Sequence, residues 1–104
     1  MVDLVCSRGY VKQCEKFWSA EERQDFEAWI VENYEAGDVI PKTKGLRKVR
    51  APVAGRGKRG GARVIYYVLS SPHQVLLLAA HTKSDTEAFS DAFLQKLRKL
   101  IPDD

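Results

Sequence analysis

The stretch ARVIYYVLSSPHQVLLLAA, residues 62–80, decides the fold. Ala62–Ser70 is dense in β-branched and aromatic residues and reads as a strand. Val75–Ala80 is almost wholly apolar, the composition of a strand covered on both faces and central in its sheet. Ser-Pro-His at 71–73 supplies a turn, so the two strands pair as a hairpin, with His73 in the turn. Upstream, Leu46–Val53 reads as another strand, entered from a linker, DVIPKTKG, at 38–45. Before that linker, Ser19-Ala-Glu-Glu22 forms a capping box that opens a helix with Phe26, Trp29, Ile30 and Asn33 on one face, and Gly37 stops it. Trp18 and Trp29 are expected in the core. Residues 8–17 place Tyr10, Val11, Cys14 and Phe17 at helical spacing, and residues 2–6 alternate as a short first strand. At the other end, Ser84-Asp-Thr-Glu87 is a second capping box, ahead of a stripe of Phe89, Phe93, Leu97, Leu100 and Ile101 that stops before Pro102. The order is β-α-α-β-β-β-α. It predicts an α+β domain, a mostly antiparallel twisted sheet with helices packed on it, spanning residues 1–104.

A chain of 104 residues is too short for a dinucleotide-binding dehydrogenase, a protein kinase or a (β/α)8 barrel. Its apolar runs fall short of the ~20 residues that cross a membrane, and its first residues, with Asp3 among them, do not make a signal peptide. Cys6 and Cys14 have no CxxC spacing and no neighbouring metal ligands, so they read as core thiols in a cytoplasmic protein.

Charge is the feature that points to function. The net charge is only +3, yet residues 42–63 (KTKGLRKVRAPVAGRGKRGGAR) hold nine of the seventeen Lys and Arg and no acid. The rest of the chain carries eight bases against fourteen acids. One basic segment on an otherwise acidic chain implies a polyanionic partner, such as RNA or the ribosome. Within it, Gly55, Gly57 and Gly60 spell G-x-G-x-x-G. A strand follows them, where the dinucleotide fingerprint requires a helix, and no Gly-Lys-Ser/Thr closes a Walker motif. The segment reads instead as a basic hairpin loop in which Arg56, Lys58 and Arg59, with Arg47 nearby, meet phosphates. Strand alternation puts Lys48 and Arg50 on one face and Arg47 and Val49 on the other. On the next strand Val64, Tyr66 and Val68 should face the core, leaving Arg63 with Ile65 and Tyr67 on the open side, where Lys48 and Arg50 converge with it. His81 and Lys83 follow the central strand at the sheet end. The absence of carboxylates from the basic segment argues against divalent-metal nuclease chemistry, and no metal or other cofactor is expected.

The strings GDVI (37–40), GLRKVR (45–50), GKRGGARVIYY (57–67) and LLLAAHTKS (76–84), with WSAEERQDFEAWI (18–30) before them, resemble the HigB branch of the RelE toxin superfamily, the toxins of bacterial type II toxin-antitoxin systems. The likeness runs through nearly the whole chain and is weakest over residues 1–15. It implies a ribosome-dependent endoribonuclease that cuts mRNA in the decoding site by attack of the 2′-hydroxyl on the adjacent phosphate. On that resemblance Lys48, Arg50, Arg63 and Lys83 match the basic active-site cluster. Arg63 would meet transition-state charge, Lys48 would act as base, and Lys83 or Arg50 would hold the phosphate or assist the leaving oxygen. His81 stands where the branch often has a tyrosine, and no Tyr follows Tyr67. The resemblance also implies a helix-turn-helix antitoxin as partner, with operator DNA reached only through it. Two other readings stand beside it: a toxin of the same fold without nuclease activity that binds a protein target such as gyrase, and a non-catalytic RNA- or ribosome-binding module.

Overall fold

The computed structural model describes residues 2–53, 61–70, 72–82 and 89–102. Arg56, Lys58 and Arg59, the three loop glycines, Lys83 and the Ser84–Glu87 capping box lie outside the described residues. The elements are β1 (Asp3–Cys6), α1 (Arg8–Cys14), α2 (Ala20–Glu32), β2 (Asp38–Val39), β3 (Arg47–Ala51), β4 (Ala62–Ser70), β5 (His73–His81) and α3 (Asp91–Lys99). They form one five-stranded sheet in the order β1-β5-β4-β3-β2. Strands β2 to β5 are an antiparallel meander, and β1 joins β5 in parallel. The class is α+β as expected, with one strand more than the sequence order: β2 lies in the linker, where two residues carry no periodicity and only pairing with Arg47 and Lys48 makes them a strand. His73 begins β5, so it sits in the strand rather than in the turn.

The capping box of α2 forms in both directions. The Ser19 Oγ accepts from the Glu22 N–H at 3.1 Å, and the Ser19 N–H donates to the Glu22 carboxylate at 2.9 Å. Phe26 and Ile30 are buried, but Trp29 is 43% exposed, which corrects its expected place in the core. At 100° per residue it stands about 80° from the line between Phe26 and Ile30, on the rim of the buried stripe. The helix ends at Glu32, so Gly37 does not stop it. Gly37 instead lets the chain pass against the sheet, since a Cβ there would meet the Tyr66 Oη at 2.6 Å. The Tyr66 hydroxyl accepts from the Gly37 N–H at 2.8 Å and donates to the Tyr34 carbonyl at 2.8 Å, tying residues 34–37 to β4. Tyr66→Phe strands both backbone groups. It should cost about 1–3 kcal/mol of stability by urea unfolding, the penalty of buried groups left unmade; a loss below ~0.5 kcal/mol would mean that water replaces the hydroxyl.

The two sheet faces carry separate cores. On β4, Ala62, Val64 and Tyr66 pack with Tyr10, Cys14, Trp18, Phe26 and Ile30 from the α1/α2 side. Ile65, Tyr67 and Leu69 pack with Phe89, Leu94, Leu97 and Ile101 from the α3 side. The second face is therefore not open along its length: α3 covers Ile65 and Tyr67, and the Arg98 guanidinium lies 4.9 Å from the Tyr67 ring centroid. Arg63, on the same face at the start of β4, is not among the residues of this helix core. Ser90 caps α3 by accepting from the Phe93 N–H at 3.1 Å. The helix stops at Lys99, so Leu100 falls off the expected stripe and is 72% exposed.

Candidate active site

Cross-strand register assembles the site. Arg50 on β3 lies opposite Arg63 on β4, and Arg63 lies opposite His81 on β5. Partners in register share a sheet face at ~4.8 Å per strand, so these three side chains form one row across the end of the sheet, on the α3 face. Lys48 lies two residues along β3 on the same face, opposite Ile65. Asp38, just upstream of the acid-free segment, pairs with Lys48 from β2 and puts one carboxylate beside the cluster. The sequence reading missed it because β2 has no pattern of its own.

His81 joins this row because of a bulge. Tyr66 pairs with Leu77, but Ile65 pairs with Ala79, so Leu78 is an extra residue on β5. Leu76, Leu78 and Ala79 all belong to the α3-side core, while Leu77 and Ala80 belong to the other. Without the extra residue, strict alternation would turn His81 toward α1 and α2. Bulges commonly re-aim a side chain in this way beside a functional site. The His81 ring packs 3.9 Å from the Phe89 ring centroid, and its two nitrogens are shielded from solvent.

Two other features bear on the row. Gly61 precedes β4 with its Cα against β3: a Cβ would stand 2.6 Å from the Ala51 carbonyl oxygen and 3.3 Å from the Arg50 Cγ, so glycine lets the chain enter β4 close beside Arg50. Arg50 also borders a cavity of 560 Å³ lined by Trp18, Phe26, Trp29 and Pro52, with Glu22 and Asp25 on its wall. Arg47 is not brought to the row. It is on the opposite face, where its guanidinium donates to the Gly37 carbonyl at 2.8 Å and holds the β2 turn.

Cys6, Tyr10 and Cys14 sit on the α1/α2 side with Glu27, which accepts from the Tyr10 hydroxyl at 3.1 Å and pairs with Arg23 at 3.0 Å. Burial, with the Glu27 charge adding to it, pushes the Cys6 thiol up to about 11, and burial does the same at Cys14. Two units above the ordinary value leave about 100-fold less thiolate at pH 8, so alkylation of the native protein should run about 100-fold slower than that of an unfolded control. Equal rates would place these thiols outside the core.

No family model matches the chain. Among solved structures it is similar to the E. coli toxin RelE, a double arginine-to-alanine mutant in the free state: TM-score 0.63, 15% identity, covering 96% of this chain and 98% of that one. An identity that low carries the architecture and leaves the chemistry to the residues. The row of Arg50, Arg63 and His81 therefore stands at the end of a sheet with the RelE-like fold.

Proposed function

We propose that the protein is the toxin of a type II toxin-antitoxin system, of the HigB kind, and that it cleaves mRNA on the ribosome without a metal ion. The observation that carries this reading is the register-fixed row of Arg50, Arg63 and His81, with Lys48 beside it on the same face. Two strands deliver three cations, Lys48, Arg50 and Arg63, to one strip, and strips of that kind are costly unless a polyanion lies on them. The acid-free segment that feeds the strip, and the RelE-like fold beneath it, point the same way.

In the proposed reaction Lys48 takes the proton of the 2′-hydroxyl. The 2′-oxygen forms a bond to phosphorus as the bond to the 5′-oxygen breaks. Arg63, in the middle of the row, meets the charge that grows on the non-bridging oxygens. Arg50 grips the same phosphate from the next strand, and His81 protonates the departing 5′-oxygen, a general-acid task that an imidazole can perform. Lys83 is assigned to the leaving side, and Arg56, Lys58 and Arg59 to ribosomal or mRNA phosphates. Arg47, which is engaged with the Gly37 carbonyl, is left out of the RNA contact. A helix-turn-helix antitoxin would neutralise the protein.

Product ends test the mechanism. Cleavage of mRNA on intact ribosomes should leave a 2′,3′-cyclic phosphate, or the 3′-phosphate derived from it, and a 5′-hydroxyl. A 5′-phosphate would show that activated water is the nucleophile and would overturn the scheme. No cleavage on ribosomes would shift the reading to a protein-binding toxin of the same fold.

A further inference from the structure

A second cleft lies at the His81 end of the row. Strand β1 pairs with β5 only as far as Cys6 opposite Leu77, so the edge of β5 beyond that point needs another cover. Helix α1 supplies it. The Ser7 N–H donates to the Leu77 carbonyl at 2.9 Å, the Ser7 hydroxyl to the Leu78 carbonyl at 3.0 Å, and the Ala80 N–H to the Gln13 Oε1 at 2.8 Å. These bonds bring Gln13, Lys16 and Phe17 beside Ala80, His81 and Thr82. Phe89 and Phe93 form the facing wall, their rings 12° from parallel with centroids 6.1 Å apart. The cleft has a volume of 270 Å³.

We propose that this cleft binds one nucleobase of a single-stranded RNA, the base next to the phosphate held by Arg50 and Arg63. The proposal rests on the reading of RNA as substrate and extends it to a subsite. Three observations carry it. The volume lies just below the ~300–1,000 Å³ of sites for drug-sized ligands, which suits a single planar ring system. Three phenyl rings, those of Phe17, Phe89 and Phe93, line the walls, and stacking on aromatic rings is how single strands are held without regard to sequence. The Gln13 amide is oriented by its bond to Ala80, which commits its oxygen and leaves its Nε2 as the end for a ligand; those N–H groups match ring-nitrogen and carbonyl acceptors on a base edge. Lys16, exposed at the rim, suits the following phosphate.

Charge decides which end of the row the strand takes. The larger cavity beyond Arg50 has Glu22 and Asp25 on its wall, which repel a phosphate chain. Among the described residues, the cleft beyond His81 is lined by Lys16 and by no acid. The RNA therefore leaves the row past His81.

The experiment is an NMR titration of the whole protein with a trinucleotide whose first two sugars are 2′-deoxyribose, so that neither linkage has a 2′-hydroxyl to attack it, compared with the same molecule made abasic at one end. The cleft exists without the ribosome, so the base-bearing probe should shift the Gln13 side-chain amide and the ring signals of Phe17 and Phe93 in free solution. The abasic probe should bind about 5- to 150-fold more weakly, the loss of one stacked base. Phe17→Leu or Phe93→Leu should weaken the base-bearing probe by a similar factor and leave the abasic probe unchanged; each keeps an apolar side chain, and either suffices if the other does not fold. Shifts confined to Arg50 and Arg63 with both probes, or no shifts at millimolar probe, would overturn the subsite. Cleavage on ribosomes by the same preparation reports the nuclease reading separately. Cleft shifts without cleavage would defeat that reading alone, and cleavage without cleft shifts would defeat the subsite alone.

Discussion

On the proposed mechanism, Arg63→Ala should slow single-turnover cleavage on ribosomes by on the order of 10²- to 10³-fold at saturating protein, the usual cost of one preorganised donor to developing charge. The expectation follows from position. Arg63 is the middle member of the row, flanked in register by Arg50 and His81, so a phosphate seated on the row has this guanidinium beneath it. Its donors gain most when negative charge grows on the non-bridging oxygens, so the loss falls on the rate more than on affinity. Ribosome association should change by tenfold or less, since many other cations share the phosphate contact. Arg63 is partly buried in a strand whose apolar residues hold the fold, so melting of the variant serves as the control for integrity. A rate within about threefold of wild type at saturation, or ~0.65 kcal/mol, would make Arg63 an ordinary phosphate contact.

His81→Ala should lower the same rate by ~10²- to 10⁴-fold, the range for loss of a positioned acid or base. The role can be separated from mere packing against Phe89. A substrate in which sulfur replaces the bridging 5′-oxygen has a leaving group that departs without a proton. On that substrate His81→Ala and wild type should cleave at nearly equal rates. If the sulfur substrate does not rescue the variant, His81 is not the acid. It would then be either the base that Lys48 is taken to be or a residue that only positions the Arg63 row.

Much of this architecture was readable from the chain. The limits of β4 and the capping box of α2 are both as the residues indicated, because β-branched density and a reciprocal cap are local properties. The alternation of β4 also gave the correct sidedness for Val64 and Tyr66. It says nothing of what covers the opposite face, because that cover comes from α3, about thirty residues on. Trp29 and Leu100 failed for a related reason. Each lies at the border of an apolar stripe, and the partner surface rather than the stripe decides what a border residue touches.

The candidate site divides in the same way. The sequence by itself determined that one segment is basic and free of acids, and that Lys48 and Arg50 share a face. Strand alternation is enough for that. The tertiary structure decided that Arg63 stands directly opposite Arg50, that Arg47 is drawn off by the Gly37 carbonyl, and that His81 faces the arginines at all. The last point turns on Leu78. In the run VLLLAA both faces of the strand are apolar, so inserting one residue leaves the hydrophobic pattern unchanged, and no reading of periodicity can detect the change of parity. Only pairing against β4, with Tyr66 on Leu77 and Ile65 on Ala79, reveals the extra residue that carries His81 to the α3 face.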